Sequence, residues 1–492
     1  MMATESVGAM QTAMRTAVRP GFQVRELLPL LGAQLLSGSG EAWLLALSTD
    51  TRTLEAGDYF LALKGAQFDG QAFARDAFAR GAAGVIIERS AGRRLVTESA
   101  PAGPVLAVDD PLAALQALAA AHRRRFRLPV IGITGSNGKT TTKEMTAAIL
   151  SRRYIVLKTE GNLNSQIGLP MVVLRLTDEH AVAVLELGIS QHGELSRLCR
   201  LAQPTIGLIT NIGPAHTEFL GGLEGVRTAK SKLLDGLPAD GVALLNRDDD
   251  AYDWLRQRCR GRSVSFGLSP AADVRATVQK TESSPGAPLR QLLTLQWPGG
   301  RVEVVTPAIG THNACNAAAA AAAALEIGAT AGEIAAGLEA VELPAMRSEW
   351  KTLPGGVRLL LDAYNANPTS VRRALETAAQ LAGRGRVTAF LGDMLELGPQ
   401  ARQWHEEIGA AAAALGLFRL VTVGPLAAAV ADGATAAGLA AGSIHRCDTV
   451  DEARALLRQW LGGLGPDDVV LVKGSRSTRM ERVVDGVMET AP

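Results

Sequence analysis

The sequence predicts an α/β protein of three domains: a small N-terminal α/β domain, a central P-loop domain on a mostly parallel sheet, and a C-terminal Rossmann-like domain. Three observations predict it. Apolar, strand-like runs alternate with helical stretches along most of the chain, the pattern of parallel sheets joined by crossover helices. One strand-to-helix junction carries the glycine loop GITGSNGKTTTKEM, from Gly132 to Met145. The chain is 492 residues long, which suits about three domains rather than one core. The boundaries are set at 1–109, 110–343 and 344–492.

In the first region, alternation through Tyr59–Leu63 reads as a strand, with Gly65 and Gly70 marking turns. Asp76 to Arg80 reads as helix, stopped by Gly81, and Val85–Ile87 and Val105–Val108 read as further strands. The first 20 residues carry Glu5, Arg15 and Arg19 and no apolar core, so no secretory signal is expected and a disordered leader is.

In the second region, strand-like runs fall at Val130–Ile133, Tyr154–Leu157, Ala181–Leu187, Thr205–Thr210 and Val242–Leu245. Ligands of such sheets bind at the carboxyl ends of the strands, where the glycine loop, Glu186 and His216 all lie. Within the loop, glycines let backbone N–H groups approach phosphate oxygens, so Thr134, Gly135, Ser136, Asn137, Gly138 and Thr141 are read as phosphate-cradle residues. Lys139 supplies a point charge, and the Thr140 hydroxyl can reach a magnesium ion. The glycines stand three apart, at Gly132, Gly135 and Gly138, and the first glycine of a strict Walker A would fall at Ile133. Thr142 is read as a plain helix residue. Glu186 ends the apolar run AVAVL, where a carboxylate is costly unless paired or metal-bound, and metal ligation is favoured. His216 is a lone histidine, which by itself is more often structural. The amide-rich loop Asn162, Asn164, Gln166 suits a sugar, peptide or phosphate, or its own turn. Asn313 precedes an alanine-rich helix and can be its N-cap. Thr281–Pro298 is irregular and reads as a hairpin-like insertion.

The third region shows strands at Val357–Leu361, Val387–Leu391, Leu420–Val423 and Val469–Val472, giving a second Rossmann-like sheet. Asp362 ends the first of these. Asn365 and Asn367 lie on the proline-terminated loop beyond it, a candidate site face. Lys473, Ser475 and Arg476 follow the last strand, either as a basic loop or as contacts to a carboxylate.

Bulk properties narrow the function. A net charge of +1, with 47% hydrophobic and 20% charged residues, fits an ordinary globular enzyme and argues against nucleic-acid or polyanionic-membrane partners. Nine lysines against 41 arginines make each lysine at a motif position informative. Cys199, Cys259, Cys315 and Cys447 are scattered without metal-ligand spacing and read as reduced thiols, consistent with a cytosol. The alanine run Ala317–Ala324 is too short to span a membrane.

The spacing GxxGxxGKTT resembles the amide-forming Mur ligases of bacterial cell-wall synthesis and their folate-polyglutamate relatives. Further strings agree: EGNLNSQIGLP from Glu160, LELGISQHGEL from Leu185, TNIGPAHTEFL from Thr210, THNACNAAAA from Thr311 and LVKGSRSTRMERVV from Leu471. DAYNANP from Asp362 and GDMLELG from Gly392 point to the branch of the family that adds a dipeptide. The resemblance covers roughly Ser48 to Val484. It implies ATP-dependent joining of D-alanyl-D-alanine to the terminal carboxylate of UDP-MurNAc-tripeptide through an acyl phosphate, in a cytoplasmic, monomeric enzyme. It implies ATP and two magnesium ions, held by Thr140, Glu186, His216 and Lys230. Lys230, in AKSKLL, reads locally as a solvated helix lysine; the resemblance makes it a carbamate and a metal ligand. Lys232 stands where family members commonly carry an acidic residue. Catalytic roles are thereby expected for Lys139, Lys230, Glu186 and His216. Arg347 and Asp362 would act as a pair on the nucleotide, with Asn313 bordering the adenine. Ser48, Thr49 and Arg52 would hold the UDP end, and Asn162, Asn164, Asn365, Asn367, Lys473, Ser475 and Arg476 the remaining substrate. A sibling adding a single amino acid would carry a DNPR-like string, which the sequence lacks. A P-loop ATPase that forms no bond is the alternative from another class.

Overall fold

The computed structural model describes residues 15–65, 68–282 and 289–487. They form three sheets. The first has six strands in the order Arg15–Gln23, Trp43–Ser48, Tyr59–Leu61, Gly84–Glu88, Val105–Val108, Gln34–Ser37. The second has nine, running Gly300–Thr306, Arg290–Trp297, Val274–Glu282, Arg262–Gly267, Val242–Asn246, Ile206–Ile209, Val130–Thr134, Val182–Glu186, Val156–Lys158. The third has six, in the order Glu349–Thr352, Arg358–Asp362, Val469–Lys473, Val387–Gly392, Arg419–Val423, Ile444–Cys447.

The inner strands of the second and third sheets pair in parallel. They read as near-continuous apolar runs because helices cover both faces. The alanine-rich helix Thr311–Ile327 packs on the helix Lys139–Leu150 and on the sheet, and Ala317–Ala324 is wholly buried there. Its small side chains let the backbones approach closely.

Several elements depart from the sequence reading. The segment expected as a hairpin-like insertion is antiparallel but longer than expected, a meander Val274–Glu282 to Arg290–Trp297 to Gly300–Thr306 that extends the central sheet. The expected disordered leader is in part a strand, since Arg15–Gln23 pairs with Trp43–Ser48; residues 1–14 lie outside the described residues. The edge strands Glu349–Thr352 and Ile444–Cys447 carry no apolar run, because an edge strand needs only one partner and one buried face.

Two sheets position the site. Thr134, Glu186 and Asn246 end their strands at one edge of the central sheet, and Asp362, Lys473 and Gly392 end theirs in the C-terminal sheet. Those two carboxyl edges face one another across a single cavity.

Candidate functional site

The cavity has a volume of about 860 Å³ and draws its walls from both sheets. On the central side stand Ser136 to Thr141, Asn162, Asn164, Glu186, His216, Asn246, His312 and Asn313. On the C-terminal side stand Arg347, Asp362, Tyr364, Asn365, Asn367, Arg373, Glu396, Lys473, Ser475 and Arg476.

The glycine loop explains its own sequence. Gly135 sits at φ 147, and a Cβ there would lie 1.8 Å from Thr210 Oγ1. Gly138 caps the helix Lys139–Leu150 at φ 79, and a Cβ there would meet Asn316 Oδ1 at 2.4 Å. Both positions need glycine on backbone and steric grounds. The helix then presents unsatisfied N–H groups to the cavity, a ready anion site. Thr134 and Gly135, expected to touch phosphate, stand behind the wall: the Thr134 hydroxyl donates to Leu187 O at 2.9 Å.

Cations crowd this side. Lys139 Nζ donates to Gly135 O at 2.8 Å, and Lys230 Nζ donates to the same carbonyl at 2.9 Å. Burial pulls Lys139 below the usual lysine range, partly opposed by Glu186 and reinforced by Arg347. Burial and the neighbouring Lys139 push Lys230 well below that range. Lys230 is 1% exposed, so the solvated-lysine reading is corrected: the helix Gly222–Asp235 turns this residue inward.

Glu186 is 1% exposed. Its Oε1 accepts from Asn164 Nδ2 at 2.7 Å, while Oε2 is buried with no hydrogen bond. A buried, unpartnered carboxylate oxygen is the place a cation would fill. His216, at φ 58, pairs through Nδ1 with Glu396, at φ 62, across the domain boundary, which holds the Glu396 carboxyl below its usual range. Among the described residues, no three His, Cys, Asp or Glu side chains gather as a metal cage. The donor set is instead one carboxylate, one imidazole and a hydroxyl. That suits magnesium, which takes one or two carboxylates and completes its shell with water and phosphate oxygens.

The C-terminal side differs from the expectation in two places. Arg347 and Asp362, expected together on the nucleotide, both line the cavity through different supports: the Arg347 guanidinium stacks 3.8 Å over the Tyr364 ring, while Asp362 accepts from Ser348 N at 3.0 Å and Lys473 Nζ at 2.5 Å. Lys473, expected on the substrate, also donates to Asn365 O at 2.9 Å and is 2% exposed; register places it directly beside Asp362. Asn367, also expected on the substrate, caps the helix Pro368–Ala382 with its side-chain oxygen and donates its amide to Asn137 Oδ1 at 2.7 Å, tying the two walls together. Asn365 stays exposed in the cavity wall. Ser475 Oγ accepts from Leu395 N, and Arg476 pairs with Glu481.

Asn313 is not an N-cap either. Gly310 occupies that position, and Asn313, within the first turn, donates to Ile309 O and accepts from Asn316. Ser48, Thr49 and Arg52 do not line the cavity; Ser48 and Arg52 fold onto Asp50 in the N-terminal domain. Among the lining residues that the sequence reading did not single out are Tyr364, which lay inside the DAYNANP string and could have been found there, and Arg373, which carries no sequence signal. His312, in the THNACNAAAA segment that the resemblance sets beside the adenine, does line the cavity, and burial lowers it to about 4.

Comparison with known proteins agrees with this architecture. Family models match residues 46–123 (Mur ligase family, catalytic domain), 133–324 (Mur ligase middle domain) and 346–476 (Mur ligase, glutamate ligase domain). The UDP-N-acetylmuramoyl-tripeptide–D-alanyl-D-alanine ligase of Bacillus subtilis is 37% identical, covering 90% of this chain and 93% of that one. A crystal structure of MurF from Acinetobacter baumannii superposes with a TM-score of 0.84 at 34% identity, covering 96% and 99% of the two chains. MurF ligase from Thermotoga maritima in complex with ADP superposes at 0.78, with 26% identity and coverage of 90% and 97%.

Proposed function

The chain belongs to the Mur ligase family, and on that premise we propose how its cavity works. It is an ATP-dependent ligase that joins D-alanyl-D-alanine to the terminal carboxylate of UDP-MurNAc-tripeptide in peptidoglycan precursor synthesis. One observation carries the reading. The glycine-loop edge and the DAYNANP strand edge close on one cavity, in a chain similar over nine-tenths of its length to ligases of that name.

The parts divide as follows. Residues 110–343 bind ATP, 344–492 close over it, and 1–109 hold the UDP end through Ser48, Thr49 and Arg52. Lys139 and the backbone N–H groups of Gly138 to Thr141 bind the phosphates, while Ser136 N and Asn137 N already donate to Asn211 and shape the loop. Thr140, Glu186, His216 and Lys230 hold magnesium, as two ions; bound there, magnesium neutralises the repulsion between ATP phosphates and the substrate carboxylate. The Lys230 amine, whose pKa burial and Lys139 push well below the usual lysine range, is suited once deprotonated to attack carbon dioxide, losing a proton and becoming a carbamate anion. Arg347, braced on Tyr364, lies over the phosphates, and Asp362, fixed by Lys473, accepts the ribose hydroxyls. Asn313 borders the adenine. Asn162, Asn164, Asn365, Ser475 and Arg476 face the peptide end.

A carboxylate oxygen of the tripeptide attacks the γ-phosphorus, and ADP leaves. The dipeptide amine then attacks the acyl phosphate carbon, phosphate departs, and the amine gives up a proton. The closed cavity excludes water, which would otherwise hydrolyse that acyl phosphate. No described helix is long and apolar enough to cross a membrane, which fits work on soluble nucleotide substrates in the cytoplasm. The deciding assay measures ATP turnover with UDP-MurNAc-tripeptide, with and without D-Ala-D-Ala. ADP should form in step with the amide only when the dipeptide is present. Stoichiometric ADP release without it would favour a plain ATPase.

A further inference from the structure

One buried cation beside the site has no place in the reaction described above. Lys143 lies one helical turn past Lys139 and is 0% exposed. Its Nζ donates to Thr159 O at 2.5 Å and pairs with Glu144 Oε1 at 2.7 Å. Glu144 in turn pairs with Lys158, the residue before Thr159. The backbone at 158–159 is therefore gripped from both sides by one helix.

That grip leads to Glu186. The Thr159 hydroxyl accepts from Glu186 N at 2.9 Å, and Thr159 N donates to Val184 O at 3.1 Å. The loop that starts at Thr159 runs on to Asn164, whose side chain donates to Glu186 Oε1 at 2.7 Å. Gly188 N donates back to Asn164 O at 2.9 Å. Both the main chain and one carboxylate oxygen of Glu186 are thus set by a segment whose root Lys143 holds. The other carboxylate oxygen, Oε2, is left buried and unpartnered.

We propose that Lys143 is a positioning residue for Glu186: by fixing the Thr159 carbonyl it aims the carboxylate at a divalent cation. Filling space does not account for it, because an apolar side chain would do that without burying an ammonium. Composition agrees. The chain uses arginine for most cations, yet Lys143 and Lys473, fully buried at this site, are lysines, whose compact ammonium can donate to a carbonyl and a carboxylate together in a small space. The proposal rests on Glu186 as a metal ligand, so the test must separate the two.

Manganese binding to the full-length protein with a non-hydrolysable ATP analogue, followed by electron paramagnetic resonance, reads the site without turnover. Lys143→Met should weaken manganese binding by about 10–100-fold, the usual effect of losing a group that orients a metal ligand. Binding of the UDP-tripeptide in the absence of metal should stay at the parent level. Thr159→Val, which removes the acceptor for Glu186 N, should weaken manganese in the same way, while Thr159→Ser, which keeps it, should not. Glu186→Gln is the reference. If Glu186→Gln loses manganese and a folded Lys143→Met retains parent affinity, the positioning role is overturned. If Lys143→Met does not fold, the Thr159 pair decides, and parent affinity in Thr159→Val overturns it. If Glu186→Gln itself binds manganese like the parent, the ligand reading of Glu186 fails and this inference falls with it.

Discussion

The two walls of the cavity use the same residue type in opposite ways. On the central wall, Lys139 and Lys230 find only backbone carbonyls, Gly135 O shared by both and Ser136 O for Lys139, and Glu186 keeps an unpartnered oxygen. On the C-terminal wall, Lys473 is neutralised by Asp362 beside it in the sheet, and its hydrogens go to Asp362 and Asn365. Among the described residues, the first wall leaves these lysines without an ion-pair partner, whereas on the second the Lys473–Asp362 pair is complete before any ligand arrives and holds Asp362 in place. A lysine at a strand or helix end is therefore read by its counter-charge, not by its position.

The sharpest break of this comparison is to remove each lysine and ask what is lost. Lys139→Ala should cut turnover by about 10²–10³-fold, since it removes a fixed charge aimed at the transferring phosphate. The folding midpoint should hardly move. Steady-state kinetics check this, and activity within tenfold of the parent would take Lys139 out of the phosphate site.

Lys473→Met should show the reverse balance. It leaves Asp362 without its cation, costing about 3 kcal/mol of folding stability, at the lower end because Asp362 keeps 16% side-chain exposure. Adding Asp362→Asn should recover part of that loss in urea denaturation. A Lys473→Met protein as stable as the parent would place Lys473 with the ligand-binding cations instead.

Lys230 sharpens the contrast through pH. Its folded-state pKa is lowered, so between that value and 10.5 the unfolded chain binds the extra proton. Stability attributable to Lys230 must therefore rise as pH climbs toward 10.5 and fall as pH drops through the folded value. Denaturation of the parent and of Lys230→Met in buffer free of carbon dioxide should show the difference between them shift in the parent's favour with rising pH. A difference independent of pH would mean an unshifted, solvated amine.

The smallest effect is expected at the seam. Asn367→Ala removes a helix cap, worth about 1 kcal/mol, together with the bond to Asn137. Asn365→Ala, on an exposed side chain two residues away, should leave stability unchanged and raise the KM for a substrate. Thermal melts and kinetics on the pair separate the two; equal destabilisation would contradict the assignment of Asn367 as the clamp.

Much of this was legible in the sequence, and the reasons are local. A glycine loop between a strand and a helix is written in consecutive residues: φ values only glycine tolerates at Gly135 and Gly138, then exposed N–H groups at the helix start. Strand and helix alternation fixed the fold class, and Glu186 betrayed itself as a lone carboxylate in an apolar run. The misreadings share another cause. Whether Lys473 is free or held by Asp362 depends on register between strands 111 residues apart. Whether Asn367 faces substrate depends on a partner 230 residues away. Lys230 reads as solvated until the fold buries it beside Lys139. Backbone conformation and apolar periodicity are properties of neighbouring residues, so the sequence determined them alone. Counter-charge and desolvation depend on which distant groups pack together, and only the tertiary structure decided those.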